Sequence, residues 1–390
     1  MISATAYTGA RIFDGESWHD DAALLVEGDT IVALQAAAAL PASVPRRELG
    51  GGLLVPGFVD LQVNGGGGVM FNDRRDVEAI ETICRAHASF GTTALLVTLI
   101  TDTPAITAEA IEAGAAAAAQ DVPGFLGLHL EGPHLSIARK GAHDPKLIRR
   151  MTDADLERLV AARRRVPVLL STVATESVTP KQAKLLSEEG VIVSLGHTDA
   201  SLAAARACVD AGATVATHLF NAMSQMGNRE PGMVGAVLDD GRLWAGLIAD
   251  GVHVEPTTIG IALRAKQGPS KIFLVTDAMS TIGTDMTSFT LNGRTIRRES
   301  GRLTLEDGTL AGADLDMISA VRFMHRVIGL DLSEALRMAS LYPAQAARVD
   351  ARYGRLLPGF RADIVSMDEG LNIRDVWIAN QAVTGAAVAH

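Results

Sequence analysis

Three side chains suited to holding one divalent cation stand at the ends of short apolar runs: Glu131 in His129-Leu130-Glu131-Gly132-Pro133, His197 in Gly196-His197-Thr198-Asp199, and His218 in Thr217-His218-Leu219. Two neutral imidazole nitrogens and one anionic oxygen form a ligand set that leaves a position open for water, as in a hydrolytic metal site. His197 and His218 are separated by one strand-helix-strand step, so both rings are expected at the same end of a parallel sheet. A lone histidine is usually a hydrogen-bonded core or loop residue; three metal-type ligands at strand ends argue against that reading for all of them at once. Hydrolysis also needs a group that takes a proton from water and returns it to the leaving group. Asp277 is the candidate, because it follows the apolar run Ile272-Phe273-Leu274-Val275-Thr276, where a carboxylate is costly unless it meets a charge or a metal. Its competing role is that of a helix N-cap.

The elements that must carry these residues repeat as apolar strand, polar turn and amphipathic helix, the pattern of a parallel sheet with helical crossovers. The predicted strands are Leu54–Leu61, Thr93–Ile100, Phe125–Leu130, Val168–Val173, Val191–Leu195, Thr214–Leu219, Trp244–Ala249 and Ile272–Val275. This number of strands closes a (β/α)8 barrel of the TIM type, whose reacting groups sit at the C-terminal strand ends. Helices are predicted over Asp76–Ser89, Thr107–Ala118, Asp155–Arg163, Lys181–Glu188 and Ser201–Val209. A hairpin insertion follows over Phe289–Leu310, then helices over Asp314–Ile328 and Ser333–Ala347. Both chain ends read as strands and turns. The expected organisation is therefore a small β-sandwich domain from residues 1–54 and 354–390, with the catalytic barrel, residues 55–353, inserted between its halves.

Composition narrows the partners. Hydrophobic residues make up 48% of the 390, yet no run approaches the roughly 20 apolar residues needed to span a bilayer. The N-terminus lacks a basic segment followed by an apolar core, so no secretory signal is read there. The two cysteines, Cys84 and Cys208, fall in separate helical segments, which predicts a reduced, cytoplasmic protein. A formal charge of -10 argues against nucleic acid, whose nonspecific binding needs basic residues to neutralise phosphates.

The first predicted strand is informative for what it lacks. Many barrel hydrolases with two metals begin with His-x-His and carry a bridging lysine on the fourth strand. Here Gln62 and Asn64 occupy the His-x-His places, and Val168 to Thr175 contains no lysine. Amides are weak metal ligands, so one divalent metal per subunit is expected, zinc first among ions that include iron, cobalt, manganese and nickel.

Taken in order, Pro56-Gly57-Phe58-Val59-Asp60-Leu61-Gln62-Val63-Asn64-Gly65, His129 to Pro133, Lys140-Gly141-Ala142-His143, Gly196-His197-Thr198, Phe220-Asn221-Ala222-Met223, Arg229-Glu230-Pro231-Gly232 and Asp250-Gly251-Val252-His253 resemble the N-acetylglucosamine-6-phosphate deacetylases of the amidohydrolase superfamily. The resemblance runs to the closing Gly359-Phe360-Arg361-Ala362-Asp363. It implies hydrolysis of the sugar's acetamide to glucosamine 6-phosphate and acetate in amino-sugar metabolism, with Glu131, His197 and His218 on the metal and Asp277 activating water. It further implies that His143 polarises the acetyl carbonyl. Arg229 and His253 would meet the phosphate, and Ala142, Asn221, Ala222 and the segment Leu310-Ala311-Gly312 would make further sugar-phosphate contacts. Arg229 would reach the active site of the neighbouring subunit of a homodimer.

His134 stands where a large aromatic or apolar residue is expected; it reads as a pocket wall or an exposed imidazole, with a fourth metal ligand as the lesser alternative. His129 shares a strand face with Glu131 and is expected to orient the ligands. Two alternatives stay open: an amidohydrolase acting on another N-acetylated sugar phosphate or an N-acyl amino acid, and a non-catalytic sugar-phosphate-binding subunit.

Overall fold

The computed structural model of the chain describes residues 4–383. Eight parallel strands follow one another around a barrel in chain order: Phe58–Val63, Thr92–Ile100, Phe125–Glu131, Val168–Val173, Ile192–Leu195, Val215–Ala216, Trp244–Leu247 and Ile272–Leu274. Their residues are buried almost throughout, as expected for strands covered by helices outside and packed side chains inside.

The helices begin where the sequence supplies caps. Thr103 accepts the N–H of Ile106 ahead of Pro104–Ala119, with proline in the first turn. Thr152 and Asp155 form a reciprocal capping box before Asp153–Arg163, as Thr179 and Gln182 do before Pro180–Glu188.

Two expectations change. The single strand predicted over Leu54–Leu61 is two: Leu53–Pro56 pairs with Ile364–Met367 in a sheet made by the chain termini, and Phe58–Val63 opens the barrel. Gly57 sits between them because a Cβ there would lie 2.0 Å from Thr93 Oγ1, so only glycine lets the chain pass this close to the second strand. The predicted hairpin over Phe289–Leu310 is a three-stranded antiparallel sheet of Ser288–Leu291, Arg294–Glu299 and Arg302–Thr304. Helices over Gly232–Asp239 and Pro256–Ala265 went unassigned in the sequence.

The terminal strands form a four-stranded sheet and a six-stranded sheet. They enclose their own core of Tyr7, Ile12, Leu24, Ile31, Leu54, Ile364 and Trp377. The last residues assigned in the sequence to this β unit, 384–390, lie outside the described residues.

Candidate active site

The mouth of the barrel brings Glu131, His197 and His218 together. Glu131 Oε1 lies 3.3 Å from His197 Nε2 and 3.1 Å from His218 Nε2, and the two nitrogens are 3.0 Å apart. Ligand atoms at metal bond lengths of about 2.0–2.1 Å in tetrahedral array stand roughly 3.3 Å from one another, so this triangle has the size of a metal face. The hydrogen-bond chemistry agrees. His197 Nδ1–H donates to the carbonyl of Arg139 at 2.9 Å, which leaves its Nε2 lone pair facing the Glu131 carboxylate and the His218 nitrogen. Electron pairs turned on one another in a buried site are the arrangement that a cation stabilises. His218 Nδ1 is buried without a hydrogen-bond partner among the described residues.

His143 belongs to the same cluster: one donor atom from each of Glu131, His143 and His197 falls within 4.8 Å. Its Nε2 is nevertheless 4.0 Å from Glu131, farther than that of His218, and its Nδ1 is tied to Thr101 Oγ1 at 2.7 Å. When the Thr101 hydroxyl donates to Nδ1, the proton of the neutral ring resides on Nε2 and points into the cavity as a donor. Burial, with His197 next in effect, lowers the His143 pKa to about 3, which keeps the ring neutral.

Asp277 receives the amides of Gln62 and Asn64, both on Oδ1, at 3.1 and 2.7 Å; no donor of the described residues reaches Oδ2. The Gln62 amide also donates to Glu131 Oε1 at 3.1 Å, so it bridges the two carboxylates. Burial, and after it the charge of Glu131, pushes the Asp277 pKa up to about 6. For Glu131, burial acts upward, but with no metal bound, protons carried by His197 and His218 on the nitrogens that face it prevail and hold its carboxyl well below the usual range; a bound cation would take their place.

The strand ends that present these groups are bent into unusual backbone. His197, His218 and Asp277 have φ values of 46°, 29° and 51°, in the left-handed region that side chains other than glycine rarely adopt. Ala222, at φ 47°, continues the pattern in the loop after the sixth strand. Gly141 completes the arrangement with φ 55°; a Cβ there would press to 3.3 Å from His197 Cε1.

The cavity above this cluster, about 250 Å³, is lined by nearly every residue expected from the sequence: Asn64, Glu131, Ala142, His143, His197, His218, Asn221, Ala222, His253, Asp277, Leu310, Ala311 and Gly312. Gln62 does not line it, but its amide bonds to Glu131 and Asp277, which do. His253 is oriented by Asp250, whose Oδ2 is 2.6 Å from its Nδ1. Arg229 is the exception: it is exposed, in an exposed loop with Met226 and Glu230, and does not line the cavity of its own chain. A larger cavity, about 640 Å³, lies near Cys84, Arg85, Arg352 and Arg361 and holds no comparable cluster of metal ligands among the described residues.

His134 and His129 depart from expectation. His134 is buried, neither exposed nor on the cavity wall, and its Nδ1 bonds to the Arg149 carbonyl at 3.1 Å. His129 bonds through Nε2 to Thr172 Oγ1 at 2.7 Å, a partner that is not a ligand atom. Thr101 was missed in the sequence although it directly follows the second strand, where the strand-end rule finds it. The wall residues Ile100, Ile248, Met279 and Leu291 carry no distinguishing signal.

Residues 53–388 match the amidohydrolase family, and residues 6–54 match the NagA composite domain. The chain is 41% identical to an N-acetylgalactosamine-6-phosphate deacetylase of Shewanella sp. (strain ANA-3), covering 98% of this chain and 96% of the relative. It is 36% identical to an N-acetylglucosamine-6-phosphate deacetylase of Haemophilus influenzae, covering 88% and 90%. The crystal structure of N-acetylglucosamine-6-phosphate deacetylase from Pasteurella multocida superposes with a TM-score of 0.94 at 34% identity, over 97% of this chain and 99% of that one.

Proposed function

The chain belongs to the amidohydrolase family, and we propose that it is a metal-dependent deacetylase that hydrolyses N-acetylglucosamine 6-phosphate to glucosamine 6-phosphate and acetate in amino-sugar metabolism. The observation that carries this reading is the Glu131, His197 and His218 triangle with the unshared Oδ2 of Asp277 beside it. A divalent ion held by those three residues, zinc first among the candidates, would polarise the attacking water and lower its pKa.

The chain's own groups supply the rest. Asp277 takes the proton of the attacking water on Oδ2 and delivers it to the amide nitrogen as that nitrogen leaves. Gln62 and Asn64 hold the opposite oxygen and fix the carboxylate's orientation. His143, neutral and anchored by Thr101, donates from Nε2 to the acetyl oxygen as negative charge develops there; one such donor typically contributes a few kcal/mol to the transition state. Gln62 and Asn64 stand where a second metal would need imidazoles, which supports one metal per chain.

His253 and the loop at Asn221 and Ala222 form the phosphate end of the cavity. Arg229 is reserved for the neighbour's site in a homodimer: its exposure outside its own cavity and the exposed Met226 beside it support that placement. No helix of the described residues is long and apolar enough to cross a membrane. The buried, unpaired thiols of Cys84 and Cys208 support a cytoplasmic location.

A second reading, the 4-epimer N-acetylgalactosamine 6-phosphate as substrate, is favoured by the 41% identical relative. Acetate release from N-acetylglucosamine, its 6-phosphate and N-acetylgalactosamine 6-phosphate separates these readings. The phosphorylated glucosamine derivative should be cleaved with the highest kcat/KM. Preference for the galactosamine epimer would move the assignment to the second reading, and equal turnover without phosphate would remove both. Arg229→Ala should raise KM for the phosphorylated sugar about tenfold or more, consistent with loss of a charge-assisted phosphate contact. Co-expressing Arg229→Ala with His197→Ala chains should restore activity through mixed dimers, since each variant lacks what the other retains.

A further inference from the structure

We propose that Asp60 is a positioning residue for this reaction: its buried carboxylate clamps the seam between the first and eighth barrel strands and so sets where Asp277 stands. The inference rests on the reading of Asp277 as the proton-transfer group.

The eight strands pair consecutively, but no ladder joins the eighth back to the first. A few contacts close that seam. Val63 and Ala278 form an isolated bridge, and the N–H of Asp277 donates to the Gln62 carbonyl at 3.0 Å. The N–H groups of Asn64 and Gly65 donate to the Ala278 carbonyl at 2.9 and 3.1 Å. Besides the Gln62 and Asn64 amides on Asp277, the side chain that ties the seam is Asp60, whose carboxylate is fully buried. It accepts the N–H of Gln62 at 3.2 Å, the N–H of Thr276 at 3.3 Å and the Thr276 hydroxyl at 2.5 Å.

These partners are the residues that place the reacting group. Thr276 directly precedes Asp277, and Gln62 is the residue whose amide bridges Asp277 and Glu131. Asp277 has left-handed backbone, and such a conformation persists only where the surroundings over-determine it. It is held on its N-terminal side through Thr276 and on its C-terminal side through Ala278, while its own carbonyl accepts the N–H of Ala313 at 2.9 Å. Asp60 anchors the first of these points.

A carboxylate suits this position because it is an acceptor meeting three converging donors. An amide would turn one N–H toward them. The choice has a cost: burial, eased by the Thr276 and Gln62 hydrogen bonds, leaves the Asp60 pKa raised to about 7, and Asp277 adds like charge nearby. A neutral latch would avoid that cost if stability were the whole purpose of the contact.

The test compares Asp60→Ala, Asp60→Asn and Thr276→Val with Thr107→Val, a control that removes a buried hydroxyl away from the seam, the one donating to the Thr103 carbonyl in the helix Pro104–Ala119. Each is assayed for kcat and KM per bound metal, and the metal-free proteins are compared by hydrogen exchange of the peptide covering 272–279. A displacement of the reacting group on the order of 1 Å lowers rates about 100-fold. Asp60→Ala is therefore expected to lose about 100-fold in kcat with KM changed less than about threefold, Thr276→Val about tenfold, and Asp60→Asn less than Asp60→Ala. Exchange at 272–279 should accelerate in the Asp60 variants and stay near wild type in Thr107→Val, which should also keep kcat within about twofold.

Unchanged kcat per bound metal in Asp60→Ala, or an equal loss in the Thr107 control, would overturn the proposal. If Asp60→Ala does not fold, Thr276→Val and Asp60→Asn decide by the same criteria. A wild-type enzyme that releases no acetate would instead remove the functional reading on which the inference stands.

Discussion

One layer below the metal-ligand cluster, inside the barrel, His129 bonds to the Thr172 hydroxyl, which is 2.7 Å from Thr217 Oγ1; that atom in turn is 2.6 Å from Ser194 Oγ. Burial lowers the His129 pKa to about 4, so the ring is neutral among hydroxyls. At the mouth, the barrel strands end in the buried Glu131 and the half-buried Asp277, with three imidazoles within reach of Glu131 and left-handed backbone at His197, His218 and Asp277. This hydroxyl cluster pairs its polar groups and holds no charge. The mouth keeps charges that no protein partner fully satisfies, which stabilises the fold less but leaves donors and acceptors for a cation, water and substrate.

The largest expected effect comes from neutralising the mouth. Asp277→Asn should lower kcat about 1,000-fold, within the range for loss of a general base, and should also raise the thermal stability of the metal-free protein. The sign follows from linkage: burial raises the Asp277 pKa from 3.8 to about 6, so the folded state holds its proton more tightly than the unfolded chain. Stability therefore falls as pH rises through that window, and the amide removes this loss. A variant that loses rate without gaining stability would break the contrast between mouth and interior.

The pH profile sharpens it. Asp277 must be deprotonated to accept a proton, so kcat/KM should fall about tenfold per pH unit on the acid side. A bound cation favours the charged form, which places that limb at or below the value of about 6 set by burial and Glu131. A limb well above neutrality would assign proton transfer to a different group.

The smallest effect on rate belongs to the interior. Thr172→Val strips His129 and Thr217 of their shared partner and should cost about 1–3 kcal/mol of stability. With the mouth untouched, kcat should stay within about threefold of wild type, as measured by denaturant unfolding alongside turnover.

The sequence disclosed the mouth more readily than the interior. Glu131, His197, His218 and Asp277 were legible because metal-type and acidic side chains directly after apolar runs are costly without a purpose. The barrel was legible from its strand-helix alternation. Thr101, Thr172 and the role of Asp60 were not, because a hydroxyl or carboxylate reveals its part only through its partner, and Asp60 meets Thr276 across 216 positions of chain. The helix Gly232–Asp239 escaped notice because seven of its eight residues are buried, which erases the polar face that gives a helix its period. The break at Gly57 was hidden inside a continuous apolar run.

The most direct test of the central claim is a metal titration. Protein stripped by chelation is reloaded stepwise with zinc while acetate release from N-acetylglucosamine 6-phosphate is followed. Activity should be absent at the start, rise linearly and level off at one equivalent per chain, and His197→Ala should neither retain the ion nor recover turnover. Activity that persists without metal, or that levels off only at two equivalents, would contradict a single ion held by Glu131, His197 and His218.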